Sequence, residues 1–148
     1  MPPFQHILVP LDYSEPSREA LRTAVYLADQ LKARLSCLHV IDIRYTATVP
    51  AYLVEPAPDA TAALRDSAQR RMETLVEELA PGRGVTITVE VGVPSEGILD
   101  LARTTGVDLI VMGSHGRTGL KRAVLGSQAE VTVRRSPVPV LVVHAKDA

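Results

Sequence analysis

Five short runs rich in Val, Ile and Leu, at 6–11, 35–41, 85–91, 108–112 and 138–144, most constrain what this sequence can fold into. Most of them are apolar on successive residues instead of alternating, which suits strands covered on both faces, as in a parallel sheet sandwiched by helices. The segments between them carry a helical period. Residues 14–31 place Ala20, Leu21, Ala24, Leu27, Ala28 and Leu31 on one stripe, with Ser14 as a candidate N-cap and Pro16 tolerated in the first turn. Residues 60–79 repeat the stripe with Leu64, Ala68, Met72, Leu75, Val76 and Leu79, and Pro81-Gly82 stops it. Ser95 opens a third helix with Ile98, Leu99 and Ala102 inward, and Ser127 opens a fourth that ends near Ser136-Pro137. The order β-α-β-α-β-α-β-α-β with right-handed crossovers implies a doubly wound α/β sheet with helices on both faces. The pattern has no internal repeat or low-complexity tract and reads as one domain, 1–148.

Composition agrees with that class and removes others. Hydrophobic residues make up 46% and charged residues 22%, which argues against disorder, and no apolar run approaches the length of a membrane span. The start Met-Pro-Pro-Phe-Gln-His lacks the charged-then-apolar order of a signal peptide, so the expected location is the cytoplasm. A net charge of −1 argues against a general nucleic-acid binder. Cys37 is the only cysteine; an internal disulfide is therefore impossible, and its place inside an apolar run reads as a small buried hydrophobe. Residues 42–58 form a long connection with Pro50, Pro56 and Pro58 and no periodicity; its Tyr45 and Tyr52 either close over a ligand as a lid or rest on the surface.

In open α/β sheets ligands sit beyond the carboxyl ends of the strands, where strand order reverses. There the first strand ends in Pro10-Leu11-Asp12 and the second in His39-Val40-Ile41-Asp42. The fourth runs into GSHGRTGLKRAVLGSQ, residues 113–128, which holds Gly113, Gly116, Gly119 and Gly126, the cations Arg117, Lys121 and Arg122, and no carboxylate. Glycines let a backbone come close to a ligand, and the cations make the stretch an anion site. Gly126-Ser127 at the start of the last helix adds unpaired N–H groups and the positive end of the helix dipole. Ser127 has two readings: a phosphate donor, or the first member of a capping box with Glu130. Neither the Walker A pattern nor G-x-G-x-x-G occurs. The pattern present is Gly113-x2-Gly116-x9-Gly126-Ser127.

Those glycines, together with HILVPLDYS, LHVID, VGVPSEGIL, DLIVMGSHGRTGLKRAVLGS and SPVPVLVV, make nearly the whole chain resemble the universal stress protein family, in its ATP-binding branch. The resemblance implies a five-stranded parallel sheet in the order 3-2-1-4-5, a Rossmann-like three-layer sandwich of the adenine nucleotide alpha-hydrolase-like type. It implies ATP as the ligand, with Mg2+ on its phosphates. Carried over by position, Pro10 and Asp12 border the adenosine end and the backbone of Val40 bonds the adenine edge. Gly113, Ser114, His115, Gly116 and Arg117 line the ribose and phosphates, while Gly126, Ser127 and Gln128 hold the phosphate tail, Gln128 mainly through its backbone N–H. Asp12 either accepts from ribose or base, reaches the magnesium, or serves only to cap the helix near Ser14.

The four histidines, His6, His39, His115 and His144, are spread out and have no metal spacing, so a metal centre is not expected. His115 either donates from its ring or presents only its backbone. The last run is strongly apolar, and Pro139 places it at a sheet edge. A second copy of 138–143 across a two-fold axis would cover it, as dimers of this family are built, so a homodimer is expected. The functional reading is a stress-response switch in which ATP sets the conformation of a dimer or its affinity for a downstream protein partner. Two rivals stand beside it. One is a slow ATP hydrolase or adenylyl-transfer enzyme, against which weigh the lack of a placed general base and of an S-G-G-x-D-S loop after the first strand. The other is a scaffold with a vestigial site.

Overall fold

The computed structural model describes residues 4–46, 58–115 and 124–145. The elements run β1 (His6–Pro10), α1 (Glu15–Leu31), β2 (Arg34–Asp42), α2 (Ile43–Thr46), α3 (Pro58–Leu79), β3 (Thr86–Gly92), α4 (Pro94–Thr104), β4 (Leu109–Gly113), α5 (Ser127–Arg135) and β5 (Val140–Val143). The five strands form one parallel sheet in the order β3-β2-β1-β4-β5, as expected.

Alternating side chains of the central strands supply two cores. Ile7 and Val9 of β1, Cys37 of β2 and Val111 of β4 face α1 and α3, where Ala20, Leu21, Ala24, Met72 and Val76 complete one cluster. Leu8, Leu38, Ile110 and Met112 face the other way, against Ile98 and Ala102 of α4 and Ala129 of α5. Two-sided coverage explains why the runs are apolar throughout, and each fully buried Leu or Ile stabilises the fold by roughly 1.5–3 kcal/mol. Cys37 lies in the first cluster with no exposure, and burial pushes its thiol up to about 12. It is a packing residue, not a reactive one. Among the described residues no helix is long and apolar enough to cross a membrane.

The chain winds from β1 outward to β3 with α1 and α3 on one face, then returns across the sheet to β4 and β5 with α4 and α5 on the other. Handedness forces this change of face when the direction of winding reverses. The reversal opens a crevice beyond the carboxyl ends of β1 and β4.

Several boundaries move. Ser14 is the N-cap of α1, its hydroxyl accepting from the Ser17 N–H at 3.3 Å, and Pro16 falls in the first turn. Ser95 does not open α4: the helix starts at Pro94, whose fixed φ suits a first helical position, and Val93 at the N-cap offers no side-chain bond. A short helix, α2, extends β2 into the segment read as loop, because Asp42 accepts from the Arg44 N–H at 3.0 Å and starts the turn. Strand β5 is shorter than its apolar run. Ser136 bonds the backbone of Val138, and the Pro139 carbonyl accepts from Ile110 N at 3.0 Å before the strand begins. Of the suggested lid, Tyr52 lies outside the described residues, as does the Tyr45 side chain.

Candidate functional site

The first wall of the crevice is the turn after β1. Leu11 N donates to the Leu38 carbonyl at 2.8 Å, the last backbone bond between β1 and β2. The Leu11 carbonyl then accepts from Nδ1 of His39 at 2.7 Å, so that ring carries its proton on Nδ1. Tyr13 follows in a left-handed conformation, φ 68°, uncommon for an aromatic residue. Its ring centroid lies 4.7 Å from that of His39, and the Arg71 guanidinium carbon lies over the Tyr13 ring, 3.8 Å from its centroid. These contacts hold the turn in place. Asp12 Oδ1 accepts from the Ser14 N–H at 3.0 Å and from the Ser14 hydroxyl, so Asp12 helps to build the turn it sits in.

Beyond that turn β2 runs on past the end of β1, still paired with β3 on its other edge as far as Asp42. Successive residues of a strand turn their N–H and C=O to opposite neighbours. Leu38 bonds β1, so Val40 turns its own pair the same way, past the point where β1 has ended at Pro10. A backbone donor and acceptor without a neighbouring strand is a ready recognition edge.

The second wall comes from β4 and α5. Ser114 is fully buried; its N–H donates to the Val143 carbonyl at 2.9 Å, and its own carbonyl accepts from Gly126 N at 2.8 Å. Its hydroxyl lies 3.1 Å from His115 Nδ1. Thus the two ends of the glycine-rich stretch are tied together in backbone register. Gly126 is the N-cap of α5 and makes no side-chain cap bond. Glu130 pairs with Arg134, so the capping box suggested by Ser127 and Glu130 does not form. Ser127, the first helical residue, is exposed, and the orphan N–H groups of this helix end have no side-chain cap among the described residues.

The two described glycines of the motif, Gly113 and Gly126, serve the frame. A Cβ on Gly126 would lie 3.0 Å from His115 Cα, and one on Gly113 would lie 2.8 Å from the backbone of Pro16 and Ser17. Neither glycine has the positive φ that only glycine adopts freely. Close backbone packing, without backbone strain, leaves no room for a side chain at Gly113 or Gly126.

Between the walls lies a cavity of ≈ 520 Å³. Of the residues singled out from sequence, Pro10, Asp12, Val40, Gly113, His115, Ser127 and Gln128 line it. Ser114 and Gly126 stand behind it as frame. Gly116 and Arg117 lie outside the described residues, as do Lys121 and Arg122. Sequence reasoning missed Leu38, Ile98 and Met112 as an apolar wall, because their spacing already accounted for them as core. It also missed Arg44 at the mouth, which holds Asp42 through two side-chain bonds of 2.6 and 2.9 Å. That bonding keeps the Asp42 carboxyl below its usual range. A third omission concerns Gln128, assigned a backbone role: its side-chain Oε1 accepts from Ser95 N at 2.8 Å and caps α4 across the cavity. Among the described residues no three His, Cys, Asp or Glu side chains cluster as a metal site.

Comparison with known proteins bears on the same geometry. The model of the Universal stress protein family matches residues 3–144. The chain is 34% identical to Universal stress protein MJ0577 of Methanocaldococcus jannaschii, covering 98% of each. The solved structure of that protein superposes with a TM-score of 0.82 at 36% identity, covering 98% of this chain and 99% of that one. A universal stress protein solved in complex with cAMP has a TM-score of 0.61 at 24% identity, covering 97% of this chain and 98% of its own. A family protein of Arabidopsis thaliana solved with AMP bound has 0.62 at 16% identity, covering 96% and 92%. The last two likenesses are likenesses of fold.

Proposed function

This chain belongs to the universal stress protein family, and we propose that it binds ATP in the crevice beyond β1 and β4 as a nucleotide-dependent switch of the stress response. The observation that carries the proposal is a single cavity with the strand edge of Val40, past the end of β1, on one side and on the other the N-terminus of α5, which has no side-chain cap among the described residues. A nucleotide has complementary ends. Its base is flat and apolar with a donor–acceptor edge, which suits the Val40 backbone between Leu38 and Ile98. Its phosphates are anionic, which suits the N–H groups and hydroxyl at Ser127. Asp12, fixed by Ser14, borders the ribose between them. Gly116 and Arg117 belong to the phosphate side by their place in the motif. Magnesium would travel on the phosphates, with Asp12 as the one carboxylate of this part of the cavity to approach it.

The reading is of a binding protein. A hydrolase would need a base positioned on a water at the phosphate end. Glu130, the acidic residue of the first turn of α5, is instead paired with Arg134 and lies away from the cavity lining. We propose further that the unit is the one domain 1–148, acting in the cytoplasm as a homodimer through β5 with a protein partner downstream. Mass spectrometry of the denatured, purified protein is expected to release ATP or its breakdown products in near-stoichiometric amount. Protein that carries no nucleotide and does not take up added ATP with Mg2+ would rule the function out. Sustained turnover lost on Asp12→Ala would favour the hydrolase.

A further inference from the structure

We infer that the side-chain amide of Gln128 is a nucleotide-contacting donor, its Nε2 held toward the phosphate chain by the bond between its Oε1 and Ser95 N; this rests on the function proposed above. The orientation of a glutamine amide is usually ambiguous, since oxygen and nitrogen look alike. Here chemistry removes the ambiguity. A backbone N–H can only donate, so the amide atom 2.8 Å from Ser95 N must be the oxygen. The NH2 group is thereby turned away from α4. Among the described residues only His6 Nδ1 is a buried side-chain polar atom without a partner. Nε2 makes no bond to a described residue and is therefore reachable from outside, on a side chain that lines the cavity.

The surroundings specify what such a donor meets. Helices α4 and α5 both direct N-termini at this cavity, since Pro94, Ser127 and Gln128 line it together. Neither N-cap residue, Val93 or Gly126, supplies a side-chain bond. Gln128 answers both deficits at once: its oxygen satisfies α4, and its two amide hydrogens extend the donor set of α5. An anion that reaches Ser127 lies at the convergence of two positive helix ends with an oriented donor beside it. An apolar residue at 128 would lose the donor and leave the buried Ser95 with an unsatisfied N–H.

The test separates the two roles. In Gln128→Glu the carboxylate still accepts from Ser95 N and favours the N-terminus of α4, so the melting temperature of the nucleotide-free protein should hold or rise. The donor is replaced by a negative charge. ATP affinity by calorimetry should therefore fall about tenfold or more. Gln128→Met, which keeps the shape but neither bond, should lose both stability and affinity. A Gln128→Glu protein that is as stable as wild type and binds ATP equally well overturns the inference. If that variant melts lower than wild type, the wild-type protein decides. The Gln128 side-chain NH2 signals shift on adding ATP if the inference holds, and stay fixed while the Ser127 amide moves if it does not. Failure of wild type to bind ATP at all removes the functional reading, and this inference with it.

Discussion

Gly113 shows how a residue conspicuous in sequence can owe its identity to packing. Its backbone needs no unusual dihedral, yet a methyl group there would come within 2.8 Å of the first turn of α1, at Pro16 and Ser17. The neighbour is backbone and cannot move aside. Gly113→Ala is expected to lower stability by about 1–3 kcal/mol, a cost of overpacking seen as a lower urea midpoint. An unchanged midpoint would mean that β4 and α1 are free to separate. The glycine spacing was legible in sequence as a motif. What could not be read was which glycine is held by close backbone packing, because that depends on the approach of α1 and of His115. Gln128 escaped for the same reason: its partner, Ser95, stands 33 positions earlier in the chain.

At the scale of elements, the apolar runs gave strand number and class because period and burial are local properties of sequence. The order of strands came from family resemblance, since no local pattern records which strand neighbours which. Helix starts moved where a cap is supplied from elsewhere. Ser95 resembled an opener, but the helix opens at Pro94 and takes its cap from Gln128. Strand β5 pairs with β4 alone and exposes Leu141, so the edge opposite β4 presents unpaired backbone beside apolar side chains. Sedimentation at micromolar concentration should give a dimer, and Leu141→Lys should shift it toward monomer. A wild-type monomer would refute pairing through this strand.

Across the whole molecule the chemistry divides between the two ends of the sheet. The cavity occupies the carboxyl end, while His6 marks the opposite end, buried, with Nε2 2.7 Å from Ser36 Oγ. Burial, then the charge of Arg34, holds the His6 pKa below its ordinary 6.5. The sign follows directly. Above that value both folded and unfolded chains carry a neutral ring, so stability is unaffected. As pH falls through 6.5 the unfolded chain takes up the proton first, and folding loses free energy until the folded ring titrates as well. Urea midpoints should therefore drop below that pH more steeply for wild type than for His6→Gln. Equal slopes would show that the ring is not protected.

On the proposed function one ligand joins the two walls of the crevice, base on β2 and phosphates on α5. Amide chemical shifts during an ATP titration test it most directly, because the two ends report separately. Val40 and Ser127 are expected to shift together and saturate with a single dissociation constant. Shifts confined to one wall, or to neither, would contradict it.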